Sequence, residues 1–108
     1  VAIEKNIENR IKRYFEQNNA IVFKHFGGAP GTPDGWPDLL IIYNNVPAYI
    51  EVKEPRGVLS TIQKAQIKKI RSKGVIAIAT DDFNDAKRLK EAISNNDLTN
   101  CNKLGWSI

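Results

Sequence analysis

Gly35-Trp36-Pro37-Asp38-Leu39-Leu40-Ile41-Ile42-Tyr43-Asn44-Asn45-Val46-Pro47-Ala48-Tyr49-Ile50-Glu51-Val52-Lys53 is the stretch that decides the fold. Asp38 to Tyr43 is almost continuously apolar, which predicts a strand buried on both faces. Asn44-Asn45 suits a tight hairpin turn, and Val46 to Lys53 returns as a second strand with Pro47 at its entrance. Side chains two apart on a strand leave the same face, so Glu51 and Lys53 project together while Val52 points into the core. Asp38 opens the strand that pairs with theirs, which allows it to lie beside Glu51 at one end of the sheet. Two adjacent carboxylates repel unless a cation separates them, and hard Mg²⁺ or Mn²⁺ takes oxygen ligands of this kind. Lys53 beside them is a donor suited to a metal-bound water or a phosphate oxygen. The plainer alternative is a Glu51–Lys53 ion pair on a solvated face.

Outward from the hairpin, Ile3, Ile7, Ile11 and Phe15 recur at four-residue spacing, so residues 2–18 read as an amphipathic helix ended by Asn18-Asn19. Ala20 to Phe26 reads as a short strand. The run from Gly27 to Pro37 is rich in residues that end regular structure. It lacks the Lys-Ser/Thr that would make it a phosphate-binding P-loop, and is expected to shape the entry to the carboxylates. Downstream, Pro55-Arg56-Gly57 breaks the chain. Ser60 with Gln63 three residues on is a capping-box signature for a helix that runs to Lys73 and stops at Gly74. Val75 to Ala79 reads as a fourth strand. Thr80 or Asp81 is expected to cap a last helix carrying Phe83, Ala86, Leu89 and Ile93 on one side, and Lys103 to Ile108 to add an edge strand. The predicted class is α/β, a small mixed sheet flanked by helices in the order α-β-β-β-α-β-α, forming one domain over residues 1–108.

The chain has 108 residues, 42% hydrophobic and 26% charged, which excludes a large α/β barrel and a disordered chain. Its longest apolar run, Leu39 to Tyr43, is too short to cross a bilayer, and no signal-peptide pattern opens the sequence. The single Cys101 excludes an internal disulfide and a cysteine-based zinc cluster, so a reducing, cytoplasmic setting is expected and Cys101 reads as a spectator. Net charge is +4, but unevenly spread: residues 25–52 carry no Lys or Arg against three acids, whereas residues 53–73 carry seven against one. Such a basic run either forms a solvated helix face or holds phosphates.

The order and spacing of these pieces resemble the PD-(D/E)XK nuclease superfamily, whose restriction-endonuclease-like core is α-β-β-β-α-β. More closely, they resemble its VRR-NUC (virus-type replication-repair nuclease) domains. The matching residues are Ile7-Glu8 in the first helix, Lys24 in the first strand, Gly35-Trp36-Pro37-Asp38-Leu39, Ile50-Glu51-Val52-Lys53, Gly57-x-Leu59-Ser60-x-x-Gln63, and Gly74 with Val75 to Ala79. The resemblance implies a Mg²⁺-dependent endonuclease, Mn²⁺ able to substitute, with no organic cofactor. Asp38, Glu51 and the Val52 carbonyl would hold metal with help from Glu8, and Lys53 and Gln63 would serve the reaction. Cleavage would leave a 5′-phosphate and a 3′-hydroxyl. Stand-alone relatives imply a homodimer acting on branched DNA, notably four-way junctions, with no membrane partner.

Within that resemblance several assignments stay open. Asp38 is preferred to Asp34 of the neighbouring Pro33-Asp34 because apolar strand residues follow it directly. Glu8 is preferred to Glu4, against the alternative of an exposed Glu8 paired with Lys12. Gln63 serves either the helix cap or the site, two roles expected to exclude each other. His25 is expected to be structural or a phosphate contact, since no second histidine completes a cluster. Trp36 either packs or stacks on a base. Lys24, Arg56, Lys64, Lys68, Lys69, Arg71 and Lys73 are expected to grip flanking phosphates, with substrate chosen by shape rather than sequence. Leu98, Leu104, Trp106 and Ile108 either supply a dimer contact or fold back on the core. Two other readings remain: a non-catalytic nucleic-acid-binding module that keeps the fold, and a nuclease from another branch of the superfamily.

Overall fold

The computed structural model describes residues 3–108. Helix α1 (Ile3–Gln17) precedes strands β1 (Ile21–Lys24), β2 (Leu39–Tyr43) and β3 (Val46–Val52). Helix α2 (Thr61–Ser72), strand β4 (Ile76–Thr80), helix α3 (Phe83–Ser94) and a 3₁₀ turn (Leu98–Lys103) complete the chain. The predicted start of α1 at residue 2 lies outside the described residues. The sheet order is β1-β2-β3-β4; the first two pairings are antiparallel, and β3–β4 is parallel. This is the mixed α/β arrangement expected from the sequence. Asn44 and Asn45 both adopt positive φ (50° and 65°), which matches the right-handed twist of a two-residue hairpin.

Two cores lie on opposite faces of the sheet. On one, Ile11 and Phe15 of α1 meet Leu39, Ile41, Ala48, Ile50, Ile76 and Ile78, closed by Ala86, Leu89 and Ile93 of α3. On the other, Ile67 and Ile70 of α2 pack on Ala77 and Ala79. Small residues on β4 let the α2 backbone come close, and the short cover of α2 explains a difference from the sequence reading. Helix α2 sits over β4, so β2 is not buried on both faces: Leu39 and Ile41 are buried, but Ile42 on the opposite face is 37% exposed.

Three boundaries also differ from expectation. Strand β1 is four residues long rather than seven: Ala20 N–H still bonds the Phe15 carbonyl, and the chain turns at Phe26, whose carbonyl accepts from Ala29. The α3 cap is Asp82, whose carboxylate accepts from Asn84 N–H. Thr80 belongs to β4, and its hydroxyl bonds Asp85. The tail adds no strand; its 3₁₀ turn instead covers the β4 edge. Asn102 accepts from Ala77 N–H at 2.9 Å, Arg71 donates to the Ala77 carbonyl at 2.8 Å, and Trp106 N–H bonds the Ala79 carbonyl at 2.8 Å. These contacts satisfy backbone groups that an open edge would leave to water or to another chain. Gly105 is required there: its φ is 75°, and a Cβ would lie 2.2 Å from the Ala79 oxygen.

Candidate active site at the ends of two strands

The β2–β3 register pairs Leu39 with Ile50, which sets Asp38 opposite Glu51 where the two strands open toward α1 and α2. Each carboxylate is fixed by backbone from the other's neighbourhood. Asp38 N–H donates to Glu51 Oε1 at 3.2 Å, and Val52 N–H donates to Asp38 Oδ2 at 2.9 Å. Glu51 is 4% exposed. Burial, then the adjacent Asp38 charge, pushes its carboxyl up to about 8, although Lys53 and the Asp38 amide pull the other way. Burial also raises Asp38 above the usual carboxylate range, against the Val52 hydrogen bond and Lys24. A pair of this kind is poised to take up positive charge.

Gln63 closes the site from α2 and makes both sets of contacts that the sequence set against each other. Its Oε1 accepts from Ser60 N–H at 2.9 Å while Ser60 Oγ accepts from Gln63 N–H at 3.1 Å, completing the capping box. Its Nε2 simultaneously donates to Glu51 Oε2 at 3.1 Å, and Lys53 Nζ reaches Oε1 at 3.5 Å. The expected exclusion is overturned because the two ends of one amide serve different partners. Gly35 permits this closure: at φ 73°, a Cβ there would lie 3.0 Å from the Ile62 backbone and 3.1 Å from Gln63 nitrogen. Gln66, which the sequence reading did not single out, pins the same loop by donating to the Asp34 carbonyl at 2.8 Å. Asp34 thus contributes backbone to the loop.

Glu8 lies beside the pair but is already engaged. It is 3% exposed, and it does not pair with Lys12: Lys24 bonds its Oε1, and Lys5 donates to Oε2 at 3.1 Å. Burial raises the Glu8 carboxyl, but these two lysines outweigh it and hold the group below the usual range. Lys5 was missed in the sequence, although its i,i+3 spacing to Glu8 is a readable signal. Lys24 Nζ also stands 3.8 Å from Asp38 Oδ1, so this lysine acts as a counter-charge between two carboxylates. Glu4 lines the adjacent cavity of about 400 Å³ with Glu8, Lys24 and Glu54. Burial, then Asp38, raises its carboxyl.

Among the described residues, no three His, Cys, Asp or Glu side chains converge into a ready-made metal cage. The donor set nevertheless fits a hard divalent cation. Asp38 and Glu51 are oxygen ligands held apart from apolar surroundings only by hydrogen bonds, and Mg²⁺ is ordinarily held by one or two carboxylates plus waters and substrate phosphate. The Val52 backbone, whose N–H fixes Asp38, places its residue at the same strand end.

The basic residues divide between several surfaces. Lys64 and Lys68 are exposed along one side of α2, and Lys69 and Lys73, also one turn apart, flank a cleft on another; Arg56 is exposed in the loop before the helix. Arg71 is directed elsewhere, with its guanidinium bonded to the Ala77 and Asn102 carbonyls, and burial lowers its pKa. His25 packs edge-on to Phe23 and tilted against Tyr49 (centroids 4.9 and 6.0 Å), with its Nδ1 buried and unpartnered among the described residues. Burial lowers its pKa against the opposing pull of Asp38. Trp36 packs edge-on against Tyr49 at 5.4 Å. In the tail, Leu104, Trp106 and Ile108 fold back onto the chain's own cores. Buried Cys101 has its thiol pushed up by burial.

No family model and no curated protein sequence matches the chain. A solved structure described as a VRR_NUC domain does match it, with a TM-score of 0.72 at 25% identity, covering 84% of this chain and 97% of that one. The fold is therefore that of a VRR_NUC domain, a PD-(D/E)XK-type nuclease fold. No helix among the described residues is long and apolar enough to cross a membrane.

Proposed function

We propose that this chain, which has the fold of a VRR_NUC domain, is a Mg²⁺-dependent endonuclease that hydrolyses phosphodiester bonds in branched DNA such as four-way junctions. The observation that carries this reading is the Asp38–Glu51 pair with Lys53 and Gln63 gathered around it. A binding module has no use for two adjacent carboxylates, one of them buried, in a surface that must accept phosphates.

Asp38, Glu51 and the Val52 carbonyl would hold the divalent cation, with Mn²⁺ able to substitute. The bound cation supplies a water of lowered pKa and offsets charge on the phosphate at the transition state. Around that centre the protein's own groups divide the work. The Asp38 and Val52 amides fix the carboxylate oxygens before substrate arrives, so no reorganisation is needed during reaction. Gln63 holds Glu51 Oε2 and orients the Lys53 ammonium, which stabilises the scissile phosphate or the attacking oxygen. Glu8 is a supporting carboxylate: its two lysines balance the negative field at the α1 side of the site. Exposed Arg56, Lys64 and Lys68 attract the DNA backbone without reading bases.

The proposed working unit is a homodimer, because a two-fold enzyme presents two sites to a two-fold junction. Sedimentation at assay concentration tests this part: a monomer that still cuts opposing strands symmetrically contradicts it. The reaction is tested by comparing wild type with Lys53→Ala on labelled four-way junction and linear duplex in Mg²⁺. Wild type should cut the junction preferentially and Lys53→Ala should not. Equal cutting by both variants contradicts the assignment, and binding without cutting by either favours the non-catalytic module.

A further inference from the structure

Beside the carboxylates, Trp36, Tyr49, Ile70 and Val75 line a cleft of about 440 Å³ whose rim carries Lys69 and Lys73. Tyr49 lies two residues before Glu51 on β3, on the same face of the strand and about 7 Å along it. Trp36 lies two residues before Asp38. The cleft thus lies on the same sheet face as the candidate active site, one strand repeat from Glu51, and no acidic residue lines it. Two aromatic rings set at 81° to one another, next to a paired cationic rim, match one ligand chemistry in particular, an aromatic ring joined to a phosphate: such a ring stacks on one side chain and meets the other edge-on. The size is in the range of small-ligand sites. A second copy of the chain fits less well: a two-fold contact over this face would set lysine rims against lysine rims.

We propose that this cleft is a binding site for an unpaired nucleobase of the DNA, stacked on one ring of the Trp36–Tyr49 pair with an adjoining phosphate on Lys69 and Lys73. A base inside a duplex has both faces covered by its neighbours, so only a base that has left the stack can enter. The inference rests on the nuclease reading of the neighbouring site and deepens it. Selection of branched DNA then comes from a nucleotide at the branch point: a four-way junction can pair all its bases, but stacking is interrupted there, so a base leaves the helix more readily than from within a continuous duplex.

The test is a binding measurement that needs no cleavage. The Lys53→Ala protein is titrated, without divalent metal and at fixed salt, into a duplex bearing one unpaired 2-aminopurine and into the same duplex fully paired. The unpaired duplex should bind about 5- to 100-fold more tightly, with quenching of 2-aminopurine fluorescence. Adding Tyr49→Leu should abolish both effects while leaving affinity for the paired duplex unchanged. Circular dichroism confirms folding. Should Tyr49→Leu not fold, the exposed pair Lys69→Gln and Lys73→Gln decides. Together they should lower the salt slope of binding to the unpaired duplex by about 2. Equal affinity for the two duplexes, a preference that survives Tyr49→Leu, or an unchanged salt slope overturns the base site. The nuclease reading is judged separately with wild type in Mg²⁺. Cleavage with no unpaired-base preference overturns the base site alone. Preference with no cleavage of any DNA supports the base site and overturns the nuclease reading.

Discussion

Asp38 and Glu51 are crossed rather than merely adjacent: the Asp38 amide holds Glu51, and the amide next to Glu51 holds Asp38, at 3.2 and 2.9 Å. Backbone amides cannot rotate away, so the two carboxyl groups are kept together, and ionising both carries a cost that the rest of the fold must offset. Catalytic centres commonly hold charge in this preorganised form.

That cost is measurable. In Glu51→Gln the amide keeps an acceptor for Asp38 N–H but removes one charge. Metal-free thermal stability should rise at pH 9 and change little at pH 5, where Glu51 is already protonated. DNA cleavage in Mg²⁺ should fall by about 100-fold or more. Thermal melts at the two pH values, beside a cleavage assay, check both halves.

The sign of the pH dependence follows from the same pair. Glu51 titrates near 8 in the folded chain against 4.5 ordinarily. Between those values the folded state keeps a proton that the unfolded state releases. Stability is therefore full below about 4.5 and is lost as pH rises toward 8. A divalent cation needs the deprotonated form, so its affinity should strengthen as pH rises through 8 and then level off. Calorimetric titration of Mn²⁺ from pH 6 to 9 measures this; an affinity flat across that range contradicts the assignment of Glu51 as ligand.

Gln63 allows its two roles to be separated. Ser60→Ala removes the capping bond alone and should cost about 1 kcal/mol of stability with only a small change in cleavage. Gln63→Ala should lose comparable stability and, in addition, at least about tenfold in cleavage, because Glu51 and Lys53 lose a shared partner. Equal cleavage by Ser60→Ala and Gln63→Ala would reduce Gln63 to a cap.

The basic residues should separate in the same way. Lys64→Gln and Lys68→Gln should each lower the salt slope of DNA binding by about 1, with stability within about 0.5 kcal/mol of wild type. Arg71→Gln should leave that slope unchanged and destabilise the fold by about 1–3 kcal/mol, since it strands the Ala77 and Asn102 carbonyls. Binding isotherms from 50 to 200 mM salt and urea melts distinguish the two classes.

Much of this architecture was readable from the chain because its signals are local. The α1 spacing of Ile7, Ile11 and Phe15, the Asn44-Asn45 turn and the Ser60–Gln63 cap each depend on neighbours in sequence. What escaped depends on contacts between distant segments. Burial of Ile42 is decided by how far α2 extends over the sheet, and the fate of the tail by hydrogen bonds that Arg71 donates to β4 and Asn102 accepts from it. The engagement of Glu8 by Lys24 joins residues sixteen apart, on α1 and β1, and no spacing within either element announces it. Gln63 departs from expectation for another reason: an amide has two ends, so its oxygen completes the cap while its nitrogen reaches Glu51.

The most direct test of the account is the rate of four-way junction cleavage as a function of Mg²⁺ concentration, for wild type and Glu51→Gln side by side. Wild type should show a saturable rise that chelation abolishes, and Glu51→Gln should stay at least about 100-fold slower at every concentration. Cleavage that persists in chelator, or equal rates for the two proteins, would contradict the claim that Asp38 and Glu51 form a divalent-metal phosphodiesterase centre.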